Sequence, residues 1–449
     1  MSYRDGEPVT EAENAATKES EAQPLLRGRK AVAYSIANLG YGAFYTLNNA
    51  ILSLYLRRFT ANAIVIGLLG STHSFEGAVI QPLVGSASDR MRSKWGRRRP
   101  FILTAIPISS LFLLLTPLCA MLPHHVRLAA LVVCIFLFTV TFNISQDPYN
   151  ALMPDITPER QRGRVTGISM FIFLIGQVLL VMLPEKVGPF TVTTETKFSI
   201  CALLMLATTL ITCVLIKEPD HPHEVVQKTN HLQSIVVALR GLRTLRQARK
   251  ALLVSFFSGL GVGAVFPFLT VFVKSITGCT DQVAEIAFLF LVATTALCVV
   301  PFGWLTDKIG PRAVLLIALT LIGSASLGGL WVQSIAQIKV VMILAGIGNA
   351  AQFAAAYPLL YLLVPPEETG FYTGLQSTAL SIATPITSIV TGTLVNGGGY
   401  RRIFIVCSLC VAGAIYALAA VKLRHAPEEI ADREQLLRLA SESISETAG

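Results

Sequence analysis

Apolar runs long enough to cross a membrane follow one another along almost the whole sequence. A helix needs about twenty apolar residues to span the hydrocarbon core of a bilayer. Runs near this length occupy 31–56, 62–86, 100–121, 128–153, 165–183, 198–216, 251–273, 283–305, 313–333, 340–364, 371–396 and 403–421. Backbone polar groups in lipid must be satisfied within the spanning segment, and the runs lack the alternating pattern of barrel strands. The sequence therefore predicts an all-α membrane protein with about twelve transmembrane helices.

The composition agrees with this class. Of the 449 residues, 53% are hydrophobic and only 14% are charged, whereas about a quarter are charged in a typical soluble protein. The net charge of +9 comes from short connections and not from a basic surface with interleaved aromatic residues, so we expect no nucleic-acid partner. Seven of the eight cysteines lie inside apolar runs without a paired pattern, and we interpret them as small core residues. We find no nucleophile, metal-ligand or phosphate-loop pattern, so we expect no enzymatic activity, no cofactor and no metal.

Positive charge in alternate connections predicts the orientation. Basic residues cluster at 90–99, 160–164 and 240–250, and such loops face the cytoplasm. Both termini are then cytoplasmic, and we expect the plasma (cell) membrane; the oligomeric state stays open, with a monomer compatible. The predicted segments are an N-terminal tail at 1–30, a six-helix bundle at 31–216, a cytoplasmic linker at 217–250, a second six-helix bundle at 251–423 and a C-terminal tail at 424–449.

The two halves share a charged motif at the end of their second apolar run. A Gly-x-x-x-Asp-Arg motif begins at Gly85 and recurs from Gly303 with lysine in the last place, and both copies are followed by glycine and arginine. A second echo relates 158–167, after the fourth run, to 366–374, after the tenth. Duplicated halves are typical of secondary transporters.

These motifs resemble a known family. The segment from Gly85 to the arginines at 97–99, with its weaker copy, resembles the signature of the major facilitator superfamily. The stretches 80–102 and 146–155 are similar to the sucrose-transporter branch of the glycoside-pentoside-hexuronide:cation symporters. The plant members carry an arginine, tied to sugar binding and proton coupling, where this chain has Asn150, which leaves sucrose itself open as a substrate. The resemblance implies two pseudo-repeated six-helix bundles in the major facilitator fold.

Three ionisable residues inside apolar runs are candidates for proton coupling: His73, Glu76 and Asp147. Ionisable groups are costly in lipid and usually functional there. Glu76 lies nine residues before Gly85, and Asp147 eight before Asp155, so both carboxyls should lie about 12–13 Å from the cytoplasmic helix ends. Burial disfavours the ionised carboxyl and suits it to proton exchange, and His73 shares a helix face with Glu76. Alternatively, Glu76 bonds to His73 or a facing polar group, and Asp147 satisfies backbone at a helix break.

Polar side chains in the first, fourth and tenth runs are candidates for substrate binding. In the fold that the chain resembles, the first, fourth, seventh and tenth helices line the central cavity. Amides and aromatic faces suit a sugar or polyol, although hydrogen bonding between helices is an equal alternative for any one residue. The predicted substrate-binding residues are Asn48, Asn49, Gln146, Asn150, Asn349, Gln352 and Tyr357, and Asn38, Phe44 and Tyr45 have the same character.

By the same resemblance, the charged connections form a cytoplasmic gate. They would hold the two bundles together in the outward-open state; alternatively, the arginines only set the topology. The predicted gate residues are Gly85, Asp89, Arg90, Arg97, Arg98, Arg99, Asp307 and Arg312.

Together these features predict a secondary active transporter. We expect proton-coupled symport of a sugar or glycoside by alternating access, with a small-molecule solute, the proton and the bilayer as partners. Two alternatives stay open. One is a major facilitator transporter for another organic solute, working as a uniporter or proton antiporter, and the other is a transport-inactive membrane receptor or scaffold.

Overall fold

In the computed structural model, the described part of the chain is almost entirely helical. The structure describes residues 3–4, 7–8, 28–91, 93–183, 186–187, 190–216, 218, 245–365, 369–431 and 435, without the side chains of 3–4, 7–8, 74–79, 81–82, 86, 89–90, 154, 159–160, 163, 186–187, 190–191 and 370. Four two-residue strands form two antiparallel hairpins: β1 Tyr3–Arg4 with β2 Glu7–Pro8, and β3 Lys186–Val187 with β4 Phe190–Thr191. The all-α prediction is confirmed.

The helices follow the predicted runs. In chain order they are α1 Gly28–Ser35, α2 Ala37–Thr46, α3 Leu52–Leu56, α4 Ala63–Arg90, α5 Arg99–Leu118, α6 His124–Ile156, α7 Glu159–Val181, α8 Thr194–Leu215, α9 Arg246–Val265, α10 Leu269–Thr277, α11 Asp281–Ile309, α12 Pro311–Gly329, α13 Ile335–Tyr361, α14 Thr369–Gly398 and α15 Arg402–Ala419. A π-helical turn, Leu47–Ile51, joins α2 to α3, and 3₁₀ turns occupy Cys119–Met121, Phe266–Phe268 and Leu423–His425.

Most predicted spans are single helices. Within the described residues, ten stretches are long and apolar enough to cross a membrane, and they correspond to the third to twelfth predicted runs. The first run consists of α1, α2, the π turn and α3. The second run is α4, which has 28 residues and an apolar helical segment at Ala63–His73. The chain is therefore an integral, multi-pass membrane protein.

The chain divides into two compact units. The first unit contains residues 1–47 and 80–224, and the second contains 48–79 and 225–449. Residues 48–79, which the sequence assigns to the first bundle, thus group with the second unit. The predicted domain boundaries stay predictions, because the linker at 217–250 and the two tails lie largely outside the described residues.

Close helix packing in the first unit depends on small residues and aromatic rings. The helix α2 packs against α7 and α8, and α5 packs against α6 and α8. A Cβ atom at Gly42 would overlap the backbone carbonyl of Phe173, so only glycine allows α2 to approach α7 this closely. On the other side of α2, the Phe44 ring stacks on Phe142 with 3.6 Å between ring centroids.

The second unit is built on the same principle. The helix α9 packs against α14 and α15, and α13 packs against α11 and α12. A Cβ atom at Gly263 would overlap the backbone of Thr384, and the Ser388 hydroxyl donates to the Gly263 carbonyl at 3.1 Å. The spacing of α9 and α14 is therefore fixed in two ways: Gly263 has no side chain to keep the helices apart, and one hydrogen bond joins them.

Candidate functional site

An aromatic and polar seam joins α1 and α2 to α6 in the first unit. The rings of Tyr34 and Tyr149 stack with centroids 4.7 Å apart. The Tyr34 hydroxyl donates to the Tyr149 carbonyl at 3.2 Å, and the Tyr149 hydroxyl donates to the Tyr34 carbonyl at 2.8 Å. Asn38 donates to the Tyr149 hydroxyl at 2.6 Å, and the hydroxyls of Tyr41 and Ser145 are 3.2 Å apart. These buried polar groups are paired within the unit, so they serve the packing of α2 on α6.

Further along the seam, Tyr45 holds Gln146. The Tyr45 hydroxyl lies 3.3 Å from Gln146 Oε1 and 3.2 Å from Nε2, and each contact is a hydrogen bond. Both side chains are partly exposed, as is Asp147, and Asn150 one turn later on α6 is exposed. Positions 146 and 150 share a helix face. The predicted substrate-binding residues of α6 therefore lie at the exposed part of the seam.

The predicted residues of the first run, Asn48 and Asn49, lie in the π-helical turn Leu47–Ile51. Such turns occur frequently at functional sites. Asn48 is only 2% exposed, and its amide nitrogen donates to the Gly70 carbonyl and to Asn49 Oδ1, both at 3.4 Å. Its Oδ1 atom is buried and has no hydrogen-bond partner among the described residues. The turn therefore holds one buried amide oxygen without a hydrogen-bond partner in the part of the chain that the structure describes.

In the second unit, two predicted amides border an apolar cavity. The cavity has a volume of about 70 Å³ and lies among α9, α10, α11, α12, α13 and α15. Asn349 and Gln352 are two of only four lining residues with an oxygen or nitrogen in the side chain. Asn349 donates to the Thr295 hydroxyl at 3.3 Å. Tyr357, further along α13, is not part of the lining and shares a 3.2 Å hydrogen bond with Ser377.

The candidate coupling residues lie in different units. His73 is buried in α4, and Glu76 follows it on the same helix, with a side chain outside the described ones. Both belong to the second unit, whereas Asp147 belongs to the first. Two further buried charges are absent from the predicted sites: Glu285 in α11 and Lys197 in α8, which are 1% and 6% exposed. Glu285 lies near the start of the predicted run 283–305, and Lys197 lies just before the run 198–216.

Two predicted gate arginines form an ion-pair cluster at one end of the first unit. Arg97 Nη2 lies 3.0 Å from Asp155 Oδ1, and Arg98 Nε lies 2.5 Å from Asp155 Oδ2. Arg97 Nε lies 3.7 Å from Glu218 Oε1, and the Arg98 backbone N–H donates to Glu218 Oε2 at 3.0 Å. We call these four residues the arginine cluster. It fixes the connection after α4 to the end of α6 and to the segment after α8.

The glycine of this motif has a steric role. Gly96 has a φ of +97°, a backbone conformation that favours glycine. A Cβ atom there would also overlap the Glu218 carboxylate. The sequence motif includes Gly96 and the arginines but not Glu218, which follows an apolar run and belongs to no motif. Asp155 enters the sequence analysis only as the end of a helix, not as a partner of the arginines.

The other predicted gate residues do not join the arginine cluster within the described structure. Arg99 donates to the Cys213 carbonyl, and Arg312 donates to the Ala419 carbonyl at 3.2 Å. Asp307 is exposed on α11. Gly85 lies in α4, which ends with Asp89 and Arg90; the side chains of the last two lie outside the description.

A second charged contact, absent from the sequence predictions, lies in the second unit. Arg58, after α3, pairs with Asp281 at 3.2 Å, and Asp281 also pairs with Lys274. The Ala63 backbone N–H donates to Asn396 Oδ1 at 2.8 Å. These contacts connect the segment between α3 and α4 to α11 and α14.

Comparison with known proteins identifies the family to which the chain is similar. The family model described as MFS/sugar transport protein matches residues 33–421. The chain is 27% identical to sucrose transport protein SUC4 of Arabidopsis thaliana over 215 residues, which cover 44% of this chain and 42% of that protein. It is 25% identical to the lactose permease of Lactobacillus helveticus over 170 residues, 34% of this chain and 26% of that protein. The matched segments thus span less than half the length of these relatives.

Solved structures agree on the fold. The nucleoside transporter NupG superposes with a TM-score of 0.67 at 14% identity, covering 88% of this chain and 99% of that one. A bacterial homolog to the human lysosomal transporter Spinster superposes with a TM-score of 0.60 at 16% identity, covering 91% and 96%. The predicted major facilitator fold is confirmed, and the family match over most of the sequence confirms the resemblance. The chain belongs to the MFS/sugar transport family.

Proposed function

We propose that the protein is a proton-coupled symporter that carries a sugar or glycoside across the plasma membrane by alternating access. The observation that carries the proposal is the family match along residues 33–421. The relatives named for sucrose and for lactose favour a sugar as the solute. With the basic connections on the cytoplasmic side, both termini are cytoplasmic.

We assign sugar binding to the amide groups of the two units. A sugar presents many hydroxyls, and each needs a partner when it leaves water. The Tyr45–Gln146 pair and the buried Oδ1 atom of Asn48 supply donors and acceptors, and Asn349 and Gln352 do so in the lining of the apolar cavity. Asn49, Asn150 and Tyr357 complete the proposed set.

We assign proton coupling to Glu76 and Asp147, with His73 as a partner on the same helix as Glu76. A carboxyl group inside a membrane span favours its neutral form, which allows it to take up and release protons during the cycle. Asp147 stands beside Gln146, so a change in its charge would act directly on the proposed sugar site.

We assign opposite gates to the two charged contacts. Arg58 follows the first predicted span and Arg97 follows the second, so they lie at opposite faces of the membrane. The arginine cluster would hold the cytoplasmic connection after α4, which begins beside Asp89 and Arg90, in a fixed conformation. Asp307 and Arg312 would occupy the equivalent positions in the second half. Arg58 lies in the first predicted bundle, 31–216, and Asp281 in the second, 251–423, so the Arg58–Asp281 pair would belong to an outer gate between these predicted bundles. Alternating access requires the gates to open in turn.

The test is uptake by proteoliposomes that contain the purified chain, over a panel of mono- and disaccharides, with and without an inward proton gradient. We expect accumulation of at least one sugar above equilibrium only with the gradient. If the sugar only equilibrates across the membrane, at the same rate with and without the proton gradient, the protein is a uniporter. No uptake of any sugar would favour another solute or a transport-inactive protein.

A further inference from the structure

Two cysteine thiols are in contact at one end of the first unit. The sulfur atoms of Cys119 and Cys134 are 3.6 Å apart, and the two residues are 5% and 9% exposed. Cys119 opens the 3₁₀ turn Cys119–Met121 directly after α5, and Cys134 lies in α6. The sequence interpretation treats both as small core residues, but the structure makes them neighbours.

The two sulfur atoms are close enough to form a covalent bond after a small movement. A disulfide has a sulfur–sulfur distance of about 2.05 Å, so each sulfur would have to move by less than about 1 Å. The two helices pack against each other, and the Ser109 hydroxyl of α5 donates to the Phe138 carbonyl of α6 at 2.8 Å. This hydrogen bond, one turn along α6 from Cys134, restrains the helices at the same interface.

The thiols lie at the opposite end of α5 from the arginine cluster. The helix has 20 residues and is therefore about 30 Å long, the thickness of the hydrocarbon core. If the arginines are cytoplasmic, Cys119 is at the outer end of α5, on the side of the membrane where disulfides persist, and Cys134 lies ten residues into α6, about 15 Å from its outer end. The residue Met121, two positions after Cys119, is 84% exposed, so the turn itself reaches the surface.

We propose that Cys119 and Cys134 form a disulfide bond, made by exchange with a low-molecular-weight disulfide on the outer side. One cysteine, as the thiolate, attacks a sulfur of the external disulfide and releases one small thiol. The second cysteine loses its proton, attacks the mixed disulfide and releases the second small thiol. The protein thus loses two protons and two electrons, and the external disulfide is reduced to two thiols.

This bond would join α5 to α6 inside one unit. Both cysteines lie in the first predicted six-helix bundle, 31–216, so the bond does not link the two predicted bundles. We therefore expect the oxidised protein to transport normally and to unfold at a higher temperature than the reduced protein. The bond itself depends on the predicted orientation and not on the transported solute.

The test uses the full chain in membranes, with and without added oxidised glutathione. The protein is denatured with N-ethylmaleimide to block free thiols and digested with trypsin, which cuts after Arg127, between the two cysteines. We expect the Cys119 and Cys134 peptides to be joined, two hydrogens lighter than their sum, and to separate on reduction. The control Cys201→Ser should keep this link, and Cys119→Ser should leave Cys134 fully alkylated. If both cysteines are alkylated after the glutathione treatment, or either is joined to another cysteine, the proposal is wrong.

Discussion

Tyr45 and Gln146 exchange hydrogen bonds across the interface of α2 and α6, at 3.3 and 3.2 Å. The phenol fixes the orientation of the amide, while both side chains remain partly exposed. One turn earlier on α2, Tyr41 contacts Ser145, the residue before Gln146, and both of these side chains are buried. Of the two pairs, only Tyr45 and Gln146 therefore have exposed surface.

Replacing Tyr45 by phenylalanine tests this difference. The substitution removes one hydroxyl that orients Gln146, so we expect the KM for sugar uptake to rise about fivefold, as for the loss of one hydrogen bond. The matched control, Tyr41→Phe, removes a buried hydroxyl and should leave KM unchanged. Initial uptake rates over a range of sugar concentrations provide the measurement. Equal KM values for the two variants would count against Tyr45 and Gln146 as binding residues.

Asp155 is the carboxylate shared by Arg97 and Arg98, so its neutralisation should disable the cytoplasmic gate. Asp155→Asn leaves two arginines without their common anion, and because these side chains are 9–25% exposed, we expect a cost below the roughly 3–5 kcal/mol of breaking a fully buried pair. We expect uptake to fall at least tenfold, with sugar binding retained in an equilibrium binding assay. Glu428→Gln is the control, because the Glu428 side chain is 81% exposed and should have no effect. Wild-type uptake by Asp155→Asn would exclude a gating role for the cluster.

The Arg58–Asp281 pair should open during each transport cycle. A variant with Arg58→Cys and Asp281→Cys, treated with a bismaleimide cross-linker, should therefore lose sugar uptake. Each single variant, treated in the same way, should keep its uptake, since partly exposed ion pairs contribute at most about 1 kcal/mol. Full uptake by the cross-linked double variant would show that this contact is not a gate.

Gly42 should tolerate no side chain, because a Cβ atom there meets the Phe173 carbonyl. We expect Gly42→Ala to destabilise the protein by about 1–3 kcal/mol, as overpacking does. Gly167→Ala on α7 is the control, since nothing in the described part of the chain lies within 4 Å of its added Cβ. Thermal unfolding in detergent should show a lower Tm for the first variant alone. An unchanged Tm for Gly42→Ala would contradict the packing of α2 on α7.

The sequence predicts the spans well because their apolar length follows from bilayer thickness alone. The sequence does not show the π turn at Leu47–Ile51. A π turn differs from an α-helix by one extra residue, and the hydrophobic pattern of a single apolar run is too uniform to reveal that difference. The partners of the arginines were also missed: Asp155 and Glu218 are separated from them by whole helices in sequence. Arg58 and Asp281 each lie at the end of a helix, where a charged residue is expected in any case. Their pairing is therefore seen only in the three-dimensional structure.

The measurement that tests the central proposal most directly is sugar accumulation by Glu76→Gln in proteoliposomes with an inward proton gradient. Wild type should concentrate the sugar above equilibrium. The variant should still exchange and equilibrate the sugar but should not accumulate it, because a glutamine cannot carry the proton. Glu428→Gln, which neutralises a carboxyl that is 81% exposed, should accumulate like wild type. Wild-type accumulation by Glu76→Gln would contradict proton coupling through this residue.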